Sequence, residues 1–204
     1  MLSLLTTAYL PPIEYFVAVA HSSGAVIEQC EYYQKQSYRN RCRIYTPLGA
    51  EPLTVPVIKV HSEKMPIRDV RIDYDYPWLQ QHERAIISAY NSSAFFEYYR
   101  DDLFSVLERK ETFLFDLNTN LLEYLLESVG IRAEICFTEH FEPIEENDLR
   151  SVIQPKYKGE SYLSKMNKEK PYYQVFSSLH GYIPNLSIID LLFAEGPNAI
   201  SFII

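Results

Sequence analysis

The sequence predicts an α/β fold: a single domain over residues 1–204, with a mixed sheet, a parallel β-α-β opening and a helical middle section. Three observations lead there. An apolar run over residues 2–10 is followed by a proline pair, a helical stripe and a second apolar run, which is the order of a β-α-β unit. Three consecutive stripes of helical period occupy residues 78–129. A further apolar run, Arg132 to Phe137, follows the glycine that stops the last of them.

Residues 2–10 read as a strand, with Thr6, Thr7 and Tyr9 gathered near its C-terminal tip. Pro11 and Pro12 suit a first helical turn, where a missing N–H costs nothing. Ile13, Phe16, Val17 and Ala20 then supply an i, i+3, i+4, i+7 stripe. Gly24 ends that helix and Ala25-Val26-Ile27-Glu28 begins a second strand, an arrangement that favours parallel pairing. Tyr38 to Ile44 and Leu53 to Val57 read as strands joined around Pro47-Leu48-Gly49, with Pro56 marking an edge or a strand end. Ile67 to Ile72 reads as one more strand. Helices follow: Trp78, His82, Ala85, Ile86 and Ala89 share a face, then Phe95, Tyr99, Leu103, Val106 and Leu107. Asn118 is placed to cap a third helix, whose Leu121, Leu122, Leu125, Leu126 and Val129 face inward before Gly130. Residues 142–170 mix five lysines with polar residues and read either as a solvated loop or as a flap over a site. Ser187-Ile188-Ile189-Asp190 resembles a capping box with Asp at the fourth place. Gly196-Pro197 ends that helix, and Ile200 to Ile204 reads as a last strand.

Bulk properties narrow the partners. A net charge of −8 argues against a general nucleic-acid binder and against an anionic membrane surface. No apolar stretch approaches bilayer-spanning length, and the N-terminus lacks the basic region of a signal peptide. Three cysteines (Cys30, Cys42, Cys136) without CxxC spacing indicate neither a disulfide framework nor a zinc site, so a cytoplasmic location is expected. No cofactor can be named from the residues.

One feature departs from this acidic background. Lys35, Arg39, Arg41 and Arg43 place four positive charges in nine residues with no acid among them. If the segment is extended, they share one strand face, while Tyr38, Asn40 and Cys42 face the other way. Guanidinium forks suit phosphate or carboxylate. An anionic small molecule or an internal acid such as Asp69 or Asp190 is therefore the expected partner. Thr6, Thr7 and Tyr9 fall at a strand end, where open α/β sheets bind ligands, but no glycine-rich phosphate loop accompanies them. Of the five histidines (His21, His61, His82, His140, His180), none has metal-ligand spacing. His82 reads either as a general base or as a hydrogen-bonded core histidine. Asp190 reads as a helix-capping acid or as a catalytic or arginine-pairing one.

The ordered motifs Tyr9-Leu10-Pro11-Pro12 with Tyr15-Phe16, Tyr38-Arg39-Asn40-Arg41, Leu53-Thr54-Val55-Pro56-Val57, then Trp78, His82 and Tyr90, and finally Pro184 to Phe193 with Gly196 closely resemble the WbqC-like family of bacterial proteins. The resemblance covers nearly the whole chain. It implies a role in O-antigen or other surface-polysaccharide biosynthesis: a transferase-like enzyme handling a nucleotide-activated sugar, with acyl or aminoacyl transfer to an amino sugar. On that reading Arg39 and Arg41 bind the diphosphate, Tyr9, Tyr15 and Asn40 shape the pocket, and His82 or Asp190 handles protons. There are departures. Thr6-Thr7-Ala8 stand where a Gln-Pro pair is usual, Pro12-Ile13-Glu14-Tyr15-Phe16 replaces Trp-x-Gly-Tyr-Phe, and a Tyr-x-Ser-Gly segment is missing. These leave a non-catalytic binding or assembly protein on the same fold as the alternative.

Overall fold

The computed structural model describes residues 2–59, 64–141 and 147–204; His61 and residues 142–146 lie outside it. The predicted opening is present. Strand β1 (Ser3–Thr6) leads through helix α1 (Ile13–Ala20) into β2 (Gly24–Glu28), and the two strands pair in parallel, Leu5 beside Ile27. Strand β5 (Glu134–Phe137) adds to β2 in parallel, giving a three-stranded sheet of order β1-β2-β5. A separate antiparallel hairpin, β3 (Arg41–Thr46) and β4 (Gly49–Thr54), turns at Pro47-Leu48. The parallel and antiparallel pairings are thus divided between two sheets.

Three long helices make the middle section: α2 (Trp78–Tyr90), α3 (Phe96–Glu108) and α4 (Leu114–Val129). Their predicted stripes are the buried faces, and Gly130 closes α4 at φ +85°. Short helices α5 (Tyr162–Lys165) and α6 (Ser177–His180) precede α7 (Ile188–Glu195). Helix α1 is buried on every side from Ile13 to Val19, because the sheet, α5 and α7 all pack on it. Gly24 is required where β2 starts: at φ +141°, any Cβ would lie 2.2 Å from the Glu134 carbonyl oxygen of β5. Among the described residues, no helix is long and apolar enough to cross a membrane.

Several expectations are corrected. Ile67 to Ile72 is not a strand but a 3₁₀ turn, Ile67–Asp69, followed by single bridges of Arg71 to Phe113 and Ile72 to Val57. Its buried residues Ile67, Val70 and Ile72 do not alternate as a strand face requires. Ile200 to Ile204 belongs largely to a 3₁₀ helix, Gly196–Phe202, which buries Ala199 and Phe202 three apart. Asn118 does not cap α4; it lies inside the helix, buried, and its amide donates to the Arg39 carbonyl at 2.8 Å. Ser187 precedes α7, but its hydroxyl donates to the Leu10 carbonyl at 2.8 Å instead of capping.

The lysine-rich stretch, described from residue 147, is not simply a solvated loop. The Leu4 N–H donates to the Asn147 carbonyl at 3.1 Å and the Leu149 N–H to the Leu4 carbonyl at 2.9 Å, so this stretch covers the outer edge of β1. Arg150, Ile153 and Leu163 are buried beneath it. Glu14 helps to hold it. Burial raises this carboxyl, opposed by hydrogen bonds from Asn185 and from the Tyr162 and Leu163 backbone at the start of α5. A glutamate at the position where the resembled motif carries glycine therefore docks the segment onto α1.

Candidate functional site

The carboxyl ends of β2 and β5 meet in one charged network, on the side where open α/β sheets bind ligands. Glu28 ends β2, fully buried. Its Oε1 accepts from the Cys30 N–H and from the Thr138 hydroxyl just beyond β5, both at 2.8 Å. Its Oε2 accepts from Arg150 Nη1 at 3.0 Å. Arg150 also forks onto Asp148, with Nη2 to Oδ2 at 2.7 Å. Three residues beyond Glu28, the Glu31 carboxylate takes both Nε and Nη2 of Arg39, the former at 2.9 Å.

A cavity of about 340 Å³ opens over this network. Glu31, Arg39, Asp148 and Arg150 form its charged floor, Gln34, Ser151 and Gln154 add neutral polar groups, and Tyr32 and Phe141 are its aromatic walls. The walls are 50% and 60% exposed, unusual for such large rings. The Arg150 guanidinium lies 5.0 Å from the centre of the Phe141 ring. Burial is the largest effect on Glu31 and raises its carboxyl; Arg39 and Arg150 oppose it while Glu28 reinforces it. Burial alone would also raise Asp148, but the bonds and charge of Arg150 outweigh it and hold that carboxyl below its ordinary value.

The basic run does not form one extended face. Residues 35–40 are turns and the strand begins at Arg41. Arg39 is 2% exposed and points to Glu31, the internal acid partner, rather than to Asp69 or Asp190. Arg41 is partly exposed, and its Nε donates to the Thr54 hydroxyl at 3.1 Å; it has no carboxylate partner among the described residues. Burial raises the Tyr33 phenol, and the charges of Arg41 and Arg39 oppose it; Arg41 itself is not among the residues that line the cavity. Asn40 is buried, its amide donating to the Val55 carbonyl at 2.9 Å, and fastens the hairpin. Tyr15 is buried below Glu31, whose charge it feels, and donates to the Thr6 carbonyl at 2.9 Å.

Tyr9 and His82 do meet, in the core. The Tyr9 hydroxyl donates to His82 Nδ1 at 2.9 Å, and Trp78 packs edge-on against both rings. Burial lowers the His82 pKa to about 4, with a hydrogen bond to the Thr54 backbone opposing it. The direction sets a pH dependence. The unfolded histidine takes up a proton near pH 6.5, before the folded one does. Its contribution is complete above that value and is lost as the pH falls toward 4, by about 3 kcal/mol in all. Urea unfolding at pH 7 and pH 5 is expected to show a loss of about 2 kcal/mol in the parent that His82→Gln largely removes. Equal losses in both proteins would contradict this.

Asp190 stands apart from the cavity, buried in α7. It accepts from Tyr90 and Gln174, each at 2.9 Å, and from Tyr172. Burial raises its carboxyl, and those three donors pull the other way. Sequence reasoning missed Glu28, Glu31, Asp148 and Arg150. Glu28 alone carries a local signal, as the charged end of an otherwise apolar strand.

The motif segments interlock through the backbone. The Tyr9 N–H donates to the Tyr38 carbonyl at 2.8 Å, Ser187 N–H to the Arg43 carbonyl at 2.9 Å, and Ile188 N–H to the Pro11 carbonyl at 2.9 Å. These bonds hold Leu10 in a left-handed conformation, φ 41°.

Comparison with known proteins agrees with this pattern. The model of the WbqC-like protein family matches residues 7–178. The uncharacterized protein Rv1507c of Mycobacterium tuberculosis is 30% identical over 141 residues, which is 69% of this chain and 61% of that protein's own length. No solved structure matches the chain.

Proposed function

The chain belongs to the WbqC-like protein family, and from that premise we propose that it is a transferase-like enzyme acting on a nucleotide-activated sugar in bacterial surface-polysaccharide biosynthesis, transferring an acyl or aminoacyl group to an amino sugar. One observation carries the proposal: an aromatic-walled cavity with a charged floor at the carboxyl edge of the parallel sheet, with Arg41, two residues on from the cavity's Arg39, holding no carboxylate among the described residues. At about 340 Å³ it is near the small end of ligand cavities, suited to one sugar ring with the nucleotide lying outside. In this reading the sugar sits between Tyr32 and Phe141, and Arg41 meets the diphosphate. Glu31 takes over the proton-handling role, because its raised carboxyl faces the cavity. Tyr9, Tyr15, Asn40, His82 and Asp190 then support the site from behind.

A ligand that binds only the folded state stabilises it, by about 2.7 kcal/mol at a hundredfold excess over Kd. For a chain of this size that corresponds to a rise in Tm of about 5–10 °C. A panel of nucleotide sugars is expected to include members that give this rise, and Arg41→Ala is expected to reduce it strongly while folding normally. No rise with any member would contradict the proposal. A second reading, binding or assembly without turnover, is favoured by the fact that both guanidiniums on the cavity floor already hold carboxylates. Turnover of a ligand that raises Tm separates the two.

A further inference from the structure

The three-stranded sheet treats its two edges differently. The outer edge of β1 is covered, because Leu4 shares backbone bonds with Asn147 and Leu149. The outer edge of β5 is not. Just past that strand, the Thr138 N–H donates to the Ile27 carbonyl at 3.2 Å, so Thr138, Cys136 and Glu134 turn their backbone groups toward β2. Ile135 and Phe137 turn theirs outward, and no described residue bonds to them there. Neither a proline nor a bulge guards this edge. Phe137 is 41% exposed, although Phe115 of α4 holds its ring edge-on at 5.5 Å.

The edge is complementary to itself. Antiparallel strands bond through the residues that face one another, so a two-fold axis can pass at Ile135, Cys136 or Phe137. An axis at Cys136 sets Ile135 of one copy opposite Phe137 of the other, and the reverse. Each such pair exchanges backbone bonds in both directions and adds an aromatic–β-branched contact that covers the exposed ring. An axis at Ile135 would set Phe137 against Ala133, and one at Phe137 would set Ile135 against Glu139. The charges agree with the Cys136 axis. It lays Arg132, ahead of the strand, opposite His140 and beside Glu139 of the other copy. Arg132 and Glu139 are exposed, and neither belongs to an ion pair among the described residues.

We infer that β5 is a self-association edge, through which a second copy of this chain pairs antiparallel to give one continuous six-stranded sheet about a central Cys136 pair. The inference is independent of the proposed transfer chemistry. One short strand from each copy makes a small interface, so association is weak and grows with protein concentration.

Sedimentation velocity of the full chain over a rising concentration series is expected to pass from one chain mass toward two. Phe137→Lys, at an exposed position, is expected to keep the protein monomeric. Arg132→Glu and Glu139→Arg are each expected to weaken the dimer about fivefold in Kd, since the symmetry breaks two exposed ion pairs at once. Combined, the two changes are expected to restore it, which a purely structural role for either residue would not produce. In a Cys30→Ser background, a short bismaleimide is expected to link two chains, and Cys136→Ser to abolish the link. Should Phe137→Lys not fold, the charge swap and the Cys136 link still decide the matter. A monomer at every concentration would overturn the inference. So would a dimer that is indifferent to the charge swap and not linked through Cys136.

Discussion

Arg150→Ala is expected to destabilise the protein by about 4–5 kcal/mol, the upper part of the range for breaking a buried ion pair. The reason is that one guanidinium serves two acids. Its side chain is 8% exposed, Asp148 is 5% exposed and Glu28 is completely buried. Removal takes this counter-charge from two desolvated carboxylates at once. Against a total stability of about 5–15 kcal/mol, that brings the domain close to unfolding. The pH dependence has a definite sign. In the parent, the depressed Asp148 carboxyl contributes stability above its ordinary pKa and loses it as the pH falls through its folded value. In the variant the uncompensated acids gain by taking protons, so the gap between the two proteins should close in acid. Urea midpoints at pH 7 and pH 4 measure this. A gap that is small at pH 7, or that widens in acid, would contradict the assignment. Arg150→Met with Glu28→Gln and Asp148→Asn should recover much of the loss, since no charge is then stranded.

Asp190→Ala is expected to cost about 3–4 kcal/mol, because it strands the Tyr90 and Tyr172 hydroxyls in the core at about 1–3 kcal/mol each. Gln174 suffers less, because its amide also donates to the Ile183 carbonyl at 2.9 Å while its carbonyl accepts from the Ile183 N–H. The loss reaches further than α7. The Tyr90 oxygen accepts from the Tyr45 N–H of β3 at 3.0 Å, so Asp190 links the hairpin, α2 and the segment around Tyr172. Asp190→Asn keeps the shape and one acceptor, and is expected to cost less than half as much. Thermal unfolding of the two variants separates a structural carboxylate from a chemical one. If Asn leaves stability intact but removes turnover of a ligand the parent consumes, Asp190 belongs to the chemistry.

The opening of the fold was legible because each signal was local: a proline pair, a helical stripe, a glycine, and an apolar run ended by Glu28. The same holds for α2 to α4, whose buried stripes repeat over three or four turns. Ile67 to Ile72 and Ile200 to Ile204 were misread because a short apolar run has no period of its own. Ile67 and Val70 are buried three apart, and so are Ala199 and Phe202, the spacing of a 3₁₀ turn. Asn118 looked like a cap because Asn favours caps; only the Arg39 carbonyl, 79 residues away in sequence, gives it another role.

The site was less legible than the fold. The basic run drew attention to Arg39, yet its partner is Glu31, eight residues upstream across turns that no alternation pattern encodes. Arg150 reaches Glu28 over 122 residues. Such pairs arise when separate strand ends and loops converge at one sheet edge, and nothing in either segment announces the other. The motifs that carry the family resemblance lie mostly behind the cavity, where backbone bonds lock them together. They identify the scaffold more clearly than they identify the chemistry.

A crystal structure of the protein with UDP-glucosamine tests the central claim most directly. The sugar ring is expected between Tyr32 and Phe141, with the diphosphate toward Arg41. A sugar bound elsewhere, for example in the polar groove between α3 and α4 lined by Tyr98, Asp102 and Tyr124, or a phosphate seated on Arg39 in place of Glu31, would contradict it.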